Sequence, residues 1–167
     1  MAEPHLEYSL EAADEIASLL EGSGSLGGDD IVRLRREVCR RYALKTLPSN
    51  SMLLSRLGGV RREELRELLK VKPVRTASGI AVIAAMTRPY PCPHGSCVYC
   101  PGGVKFGSPQ SYLGKEPAAM RGAEHEYEPC SQVQSRLRQL SDSGHRVEKA
   151  ELIILGGTFL SFPLEYQ

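Results

Sequence analysis

Apolar side chains recur at helical spacing through the first part of the chain, then give way to two unbroken apolar runs. Leu10, Ala13, Ile16, Ala17 and Leu20 fall three and four apart, which predicts an amphipathic helix over about residues 5–21. Residues 22–28, almost all Gly and Ser, predict a flexible linker. Ile31, Leu34, Val38 and Tyr42 mark the next helix, with Asp30 as its cap and Arg33, Arg36 and Arg40 on the opposite face. Further short helices fit residues 51–57 and 61–70, and Pro73 ends that pattern.

The character changes at Gly79. Residues 80–86 are apolar without alternation, as in a strand buried on both faces. A loop rich in Gly, Pro and Cys follows over 87–116. Residues 117–142 read as mainly helical, with a kink at Pro129 and a stop at Gly144. A second buried strand fits 147–155. Two such strands, joined by about 60 residues that include a helix, predict a parallel βαβ unit. The expected fold class is therefore α/β, with a helical subdomain in front. Parallel strands also place the cysteine loop and the Gly156, Gly157, Thr158 segment on one rim, where α/β proteins hold their sites.

Charge sharpens the division. The 167 residues carry a net charge of only +1, yet residues 1–30 contain eight acids and no Lys or Arg. Residues 31–75 contain thirteen bases against four acids, and the remainder balances. The chain thus divides into an acidic leader helix and linker (1–29), a basic helical subdomain (30–75) and an α/β part (76–167). Such asymmetry predicts a segment facing a polyanion, with an acidic leader able to compete for it. Arg33, Arg36, Arg40, Arg41, Arg61 and Arg62 are the candidates for phosphate contact. No apolar run reaches the ~18 residues of a membrane span, and the start has no signal-peptide pattern. A cytoplasmic protein with no membrane partner is expected.

Three of the five cysteines, Cys92, Cys97 and Cys100, fall within nine residues. With no sign of an oxidising compartment, they point to a metal rather than to disulfides. Two metals stay open on spacing alone. Zinc would take His94 as a fourth ligand. An iron–sulfur cube on three thiolates would leave one iron free for a ligand. Cys39 and Cys130 have no ligand-like neighbours, and Gly102 and Gly103 lack the Lys-Ser/Thr that completes a phosphate loop.

Residues 72–103, with the three cysteines inside them, closely resemble the Elongator catalytic-subunit family in its archaeal and bacterial form. So do residues 109–121 and the closing Gly156, Gly157, Thr158, Phe159. The resemblance covers about residues 30–167. It implies a radical S-adenosylmethionine (SAM) enzyme that modifies the wobble uridine of tRNA, with acetyl-CoA as carbon source. On that reading Cys92, Cys97 and Cys100 ligate a [4Fe–4S] cluster whose open iron chelates SAM. The resulting 5′-deoxyadenosyl radical activates the acetyl group, and C5 of the uridine gains a carboxymethyl group.

The resemblance also implies that Tyr99 lies near the SAM adenine, and that Gly156 and Gly157, with Thr158 beside them, approach its amino group. Lys149 would contact acetyl-CoA, although it starts the second strand and sits roughly 20 Å from the rim. The anticodon stem-loop of tRNA is the implied partner. The implied architecture is the first βαβ part of a partial TIM-type barrel. The remaining strands and an acetyltransferase-like domain do not appear in these residues, so the segment by itself is expected not to modify tRNA. Two other readings fit the same residues: a zinc-stabilised RNA-binding module without redox chemistry, and a radical SAM enzyme of another reaction type.

Overall fold

The computed structural model describes residues 4–167, with side chains from Ser9 onward. Of the leader's acids, Glu3 and the side chain of Glu7 lie outside the described residues. The chain divides into two compact units: residues up to Ala77 with Leu140–Arg146, and Ser78–Gln139 with Val147–Gln167.

The first unit is helical: α1 (Pro4–Gly22), α2 (Gly28–Arg41), α3 (Asn50–Leu54) and α4 (Arg62–Leu69). The periodic positions of α1 form its core. Ala12, Ala13, Ile16 and Leu20 are buried against Ile31 and Val38 of α2, Leu53 of α3, and Leu65 and Leu69 of α4. Each fully buried aliphatic side chain of this kind contributes roughly 1.5–3 kcal/mol. The acidic helix therefore shares one core with the basic helices instead of standing apart as a leader. Helix α2 begins one turn earlier than its expected cap. Gly27 is the N-cap residue and Asp30, at the third helical position, reaches back to accept the Gly27 N–H at 3.0 Å.

Buried and half-buried polar groups fasten the unit. Arg35 donates to Asn50 Oδ1 (2.8 Å) and to Pro48 O, while Asn50 Nδ2 donates to Leu69 O at the end of α4 (2.7 Å). Burial pulls the Arg35 pKa below its ordinary value and pushes the neighbouring Cys39 thiol up. The segment after α6 joins this unit through Arg66, which donates to Gly144 O (3.0 Å) and His145 O (2.8 Å). His145 is wholly buried. Its Nε2 lies 2.8 Å from Val71 O, which can only accept, so Nε2 carries the proton, and Nδ1 meets Thr76 Oγ1 at 2.8 Å.

The second unit is built on β1 (Ala81–Met86) and β2 (Ala150–Leu155), paired in parallel with Ala81 opposite Ala150 and Met86 opposite Leu155. The expected βαβ connection is present, but its helical part is two helices, α5 (Pro117–Glu124) and α6 (Pro129–Asp142). Glu126 and Tyr127 take left-handed φ values of 51° and 59°, which ends α5 outright where a kink was expected. Pro129 then opens α6 at a position where its missing N–H costs nothing. The carboxylate of Glu128 accepts from the N–H groups of Cys130 and Ser131.

Burial of the strands differs from expectation. In β1, Ala81, Ile83, Ala85 and Met86 are buried, but β2 is exposed along its length, Leu152 by 54%. Among the described residues β2 has one neighbouring strand, so its apolar run has nothing on its other side. The carboxyl end of β1 is held closely. The Gln132 carboxamide on α6 accepts the Met86 N–H (2.8 Å) and donates to Met86 O (2.9 Å). Gly122 of α5 packs so tightly there that a Cβ would fall 2.9 Å from Met86 Cβ.

Two stability predictions follow from these contacts. Gln132→Leu leaves two buried backbone groups unpaired, each worth ~1–3 kcal/mol, and should lower unfolding free energy by roughly 2–6 kcal/mol in urea titrations. Glu21 on α1 accepts the N–H groups of Gly58 (2.7 Å) and Gly59 (2.9 Å), and these bonds hold its carboxyl below the usual 4.5. A depressed carboxylate pKa adds stability that is present above 4.5 and lost as pH falls through the folded-state value. Glu21→Gln should therefore lower Tm at neutral pH and leave it unchanged in strong acid.

Candidate metal centre

The loop leaving β1 and the segment leaving β2 meet because the strands are parallel and in register to their last residues. The Thr87 N–H donates to Leu155 O at 2.8 Å, carrying the ladder one step past the strands. Aromatic packing then ties the two departing segments. Tyr90 stacks on Phe162 with ring centroids 4.6 Å apart, and Phe162 on Tyr166 at 5.0 Å. The Arg88 guanidinium lies 4.5 Å over the Tyr166 ring, and its backbone N–H donates to the Tyr166 hydroxyl at 2.9 Å.

Below this tie lies a cavity of about 280 Å³. Its lining includes Cys92, Cys97 and Cys100 with His94 and Tyr99, and Gly156, Gly157 and Thr158 from the other segment. All the residues expected at the rim, whether as metal ligands or as SAM contacts, are thus gathered in one place. Thr158 Oγ1 lies 3.7 Å from Cys92 Sγ, at the long end of an O–H···S contact. The Ser111 N–H donates to Cys100 Sγ at 3.3 Å, and as a thiol Cys100 donates to Gly102 O at 3.2 Å. His94 Nε2 stands 3.3 Å from Cys97 Sγ. No group of three described His, Cys, Asp and Glu side chains is arranged to hold one metal ion. Tyr99 is 85% exposed.

The glycines after β2 are required by space. A Cβ on Gly157 would fall 3.2 Å from Cys92 Sγ and 3.0 Å from Gln110 Cβ. Gly156 has a φ of 149°, and a Cβ there would collide with Thr87 Oγ1 at 1.8 Å. The turn that carries Gln110 and Ser111 is fastened by Ser108, which accepts the Gly103 N–H (2.9 Å) and donates to Tyr112 O (2.7 Å). Glu116 closes the loop by accepting the Leu113 N–H at 2.9 Å, the first cause of its lowered pKa.

Other expected residues lie elsewhere. Lys149 precedes β2 at its amino end, exposed, with its carbonyl accepting the Ala81 N–H. In the first unit Arg33, Arg36, Arg40, Arg41 and Arg62 are exposed. Arg33 pairs with Asp30 (3.0 Å) and Arg41 with Glu15 (2.6 Å). Arg61 is turned inward, its side chain 23% exposed. It donates to Leu20 O and Ser23 O at the end of α1 and pairs with Glu64. It is a capping residue for α1, not an outward cation. Sequence reasoning missed Gln110, Ser108, Phe162 and Tyr166; the contacts of Phe162 with Tyr90 and of Tyr166 with Arg88 span some seventy residues and leave no periodic signal.

Comparison with known proteins follows the same residues. Residues 9–77 match the ELP3 N-terminal domain. A tRNA uridine(34) acetyltransferase of Methanocaldococcus infernus is 46% identical over 141 residues, covering 82% of this chain and 26% of that protein. One from Methanocaldococcus jannaschii is 50% identical over 123 residues, 72% of this chain and 23% of that protein. Human Elongator complex protein 3 is 39% identical over 166 residues, 95% of this chain and 30% of that protein. The chain thus spans less than a third of the length of these relatives.

Space around the glycines sets a prediction. Gly156→Ala meets both a collision and a strained φ, so it should reduce metal incorporation severely. Gly157→Ala asks its neighbours to give a few tenths of an ångström and should do so mildly. Metal content per chain after reconstitution checks the order.

Proposed function

Since this chain belongs to the ELP3 family, we propose that it works in a radical SAM enzyme that places a carboxymethyl group on C5 of the wobble uridine of tRNA. SAM would be the radical source and acetyl-CoA the carbon donor. The observation that carries this reading is the gathering of three cysteines, two space-limited glycines and Thr158 around one cavity at the carboxyl ends of parallel strands.

The donor set fits a [4Fe–4S] cluster. Thiolates are the ligands such clusters take, each binding a different iron. The Ser111 amide aimed at Cys100 Sγ can stabilise thiolate charge, and the bare Gly157 backbone leaves room beside Cys92 Sγ. Cys92, Cys97 and Cys100 would hold the cluster, which when bound supplies one-electron reducing power and an open iron for the amino-acid end of SAM.

This chain's residues supply the rest. Gly156 and Gly157 offer backbone that no Cβ shields, and Thr158 a hydroxyl, to the polar end of SAM. Tyr99 presents an exposed ring on which an adenine can stack. Lys149, at the opposite end of β2, would meet acetyl-CoA away from the cluster. Arg33, Arg36, Arg40, Arg41 and Arg62 offer cations to tRNA phosphates, a contact that weakens with salt and reads no sequence. Choice of base belongs to an unstacked anticodon nucleotide. The zinc-bound RNA module remains as a second reading because His94 Nε2 lies close to Cys97 Sγ.

Anaerobic reconstitution separates the two. About four irons and four sulfides per chain with brown absorption, all lost in the Cys92/Cys97/Cys100→Ala variant, are expected. One zinc per chain, without sulfide or colour, would overturn the radical reading and leave the RNA module.

A further inference from the structure

Two glutamines are buried in the second unit, and they differ in one respect. Gln132 spends its carboxamide on both backbone groups of Met86. Gln110 is 6% exposed, and its carboxamide has no hydrogen-bond partner among the described residues. The side chain is nine-tenths buried, yet its amide atoms are not sealed off and open onto cavity space, where a ligand can meet them.

The position of Gln110 is built. Two glycines more than fifty residues apart in sequence make space for the same side chain. A Cβ on Gly103, whose φ is 131°, would strike Gln110 Oε1 at 1.7 Å, and one on Gly157 would press Gln110 Cβ at 3.0 Å. Ser108 pins the turn that carries it. The side chain lines the cysteine cavity and also a second cavity of about 350 Å³, which shares Cys92, Gly95 and Cys100 as walls. A polar group fixed between two chambers, of which the second also carries Lys105, is a recognition element.

We propose that Gln110 reads the hydrogen-bonding edge of a nucleobase bound at this site, an inference that rests on the function proposed above. A carboxamide offers a donor and an acceptor side by side in one plane. Nucleobases return the complementary pair: N7 with the N6 amino group of adenine, or O4 with N3–H of uracil. The cysteine cavity is lined by no Lys or Arg, and Lys105 stands on the wall of the second cavity, so a phosphate would sit there and a neutral base edge on the cysteine side. Two sources carry the shared chemistry: the adenine of SAM and the uracil of an anticodon loop. Gln110 is a binding residue on this account, with no step of the reaction assigned to it.

The test uses Gln110→Met, which keeps length without polarity, and Gln110→Glu, which replaces the amide donor with an acceptor. Both are reconstituted anaerobically beside the wild type, and iron is measured. Two probes are then titrated separately: SAM, and an anticodon stem-loop RNA carrying uridine or an abasic site at the wobble position. The expected result is wild-type iron content with one probe bound about tenfold or more weakly by both variants. Weakened SAM binding identifies adenine. Loss of the preference for uridine over the abasic site identifies uracil.

Unchanged binding of both probes overturns the proposal. Loss of iron in Gln110→Met does so too, because the side chain would then be holding the loop. A wild-type protein that binds neither probe sinks the functional reading, and this inference falls with it. The failure of each is therefore read from a different sample.

Discussion

The carboxyl end of β1 is held by a side chain, and the candidate site depends on that. With one parallel neighbour, a six-residue strand cannot fix its last residue through sheet pairing alone. Gln132 takes the place of a second neighbour at Met86, bonding both its N–H and its carbonyl as an adjacent strand would. Gly122 removes the Cβ that would otherwise push α5 off the same residue. Thr87 follows at once, then the loop with the three cysteines. A shift of an ångström at Met86 would pass directly to Cys92, because only the stacked rings of Tyr90, Phe162 and Tyr166 intervene to re-anchor the loop.

What could be read from the sequence was whatever local pattern controls. The two apolar runs became parallel strands, the three-and-four spacing of Ile16 and Leu20 became a buried helix face, and close spacing marked the cysteines. The rim followed from topology alone. Features set by contacts between distant residues were not legible. Nothing near Gln132 announces its bond to Met86, nothing near Gln110 reveals that the remote Gly157 makes room for it, and nothing in residues 140–146 shows that Arg66 binds them. The division of one expected helix into α5 and α6 turned on left-handed conformations at Glu126 and Tyr127, residues that rarely adopt them.

Basic residues illustrate the same limit. A count of charges treats Arg35, Arg61 and Arg66 like Arg36 and Arg62, but the structure uses the first three as donors to backbone carbonyls at helix ends and turns. These carbonyls, with Glu64 for Arg61 and Glu63 for Arg66, already occupy them, so they are less free to meet an outside anion. The acidic helix α1 accounts for more: Glu15 pairs with Arg41 and Asp14 with Arg56, both at 2.6 Å. Exposed pairs of this sort are worth at most about 1 kcal/mol and weaken with salt, so a phosphate can compete for Arg41. Arg36, Arg40 and Arg62 form no ion pair among the described residues, and an electrostatic interaction with RNA would begin there.

The exposure of β2 bears on the barrel that the sequence led one to expect. Leu152, Ile153 and Ile154 are consecutive, β-branched or apolar, and about half exposed, an arrangement that costs free energy in water and invites edge pairing. A half-buried strand of an antiparallel sheet would alternate polar and apolar residues, and this one does not. Continuous apolar sequence is the signature of a strand covered on both faces, as in a barrel of parallel strands with helices outside. In such a barrel the same register that brings Leu155 level with Met86 would set further strand ends around the cavity. The cavity mouth is lined so far by only two strand exits. The apolar run on β2 and the two-sided rim around the cysteines are thus the features of the described residues that a barrel neighbour would cover.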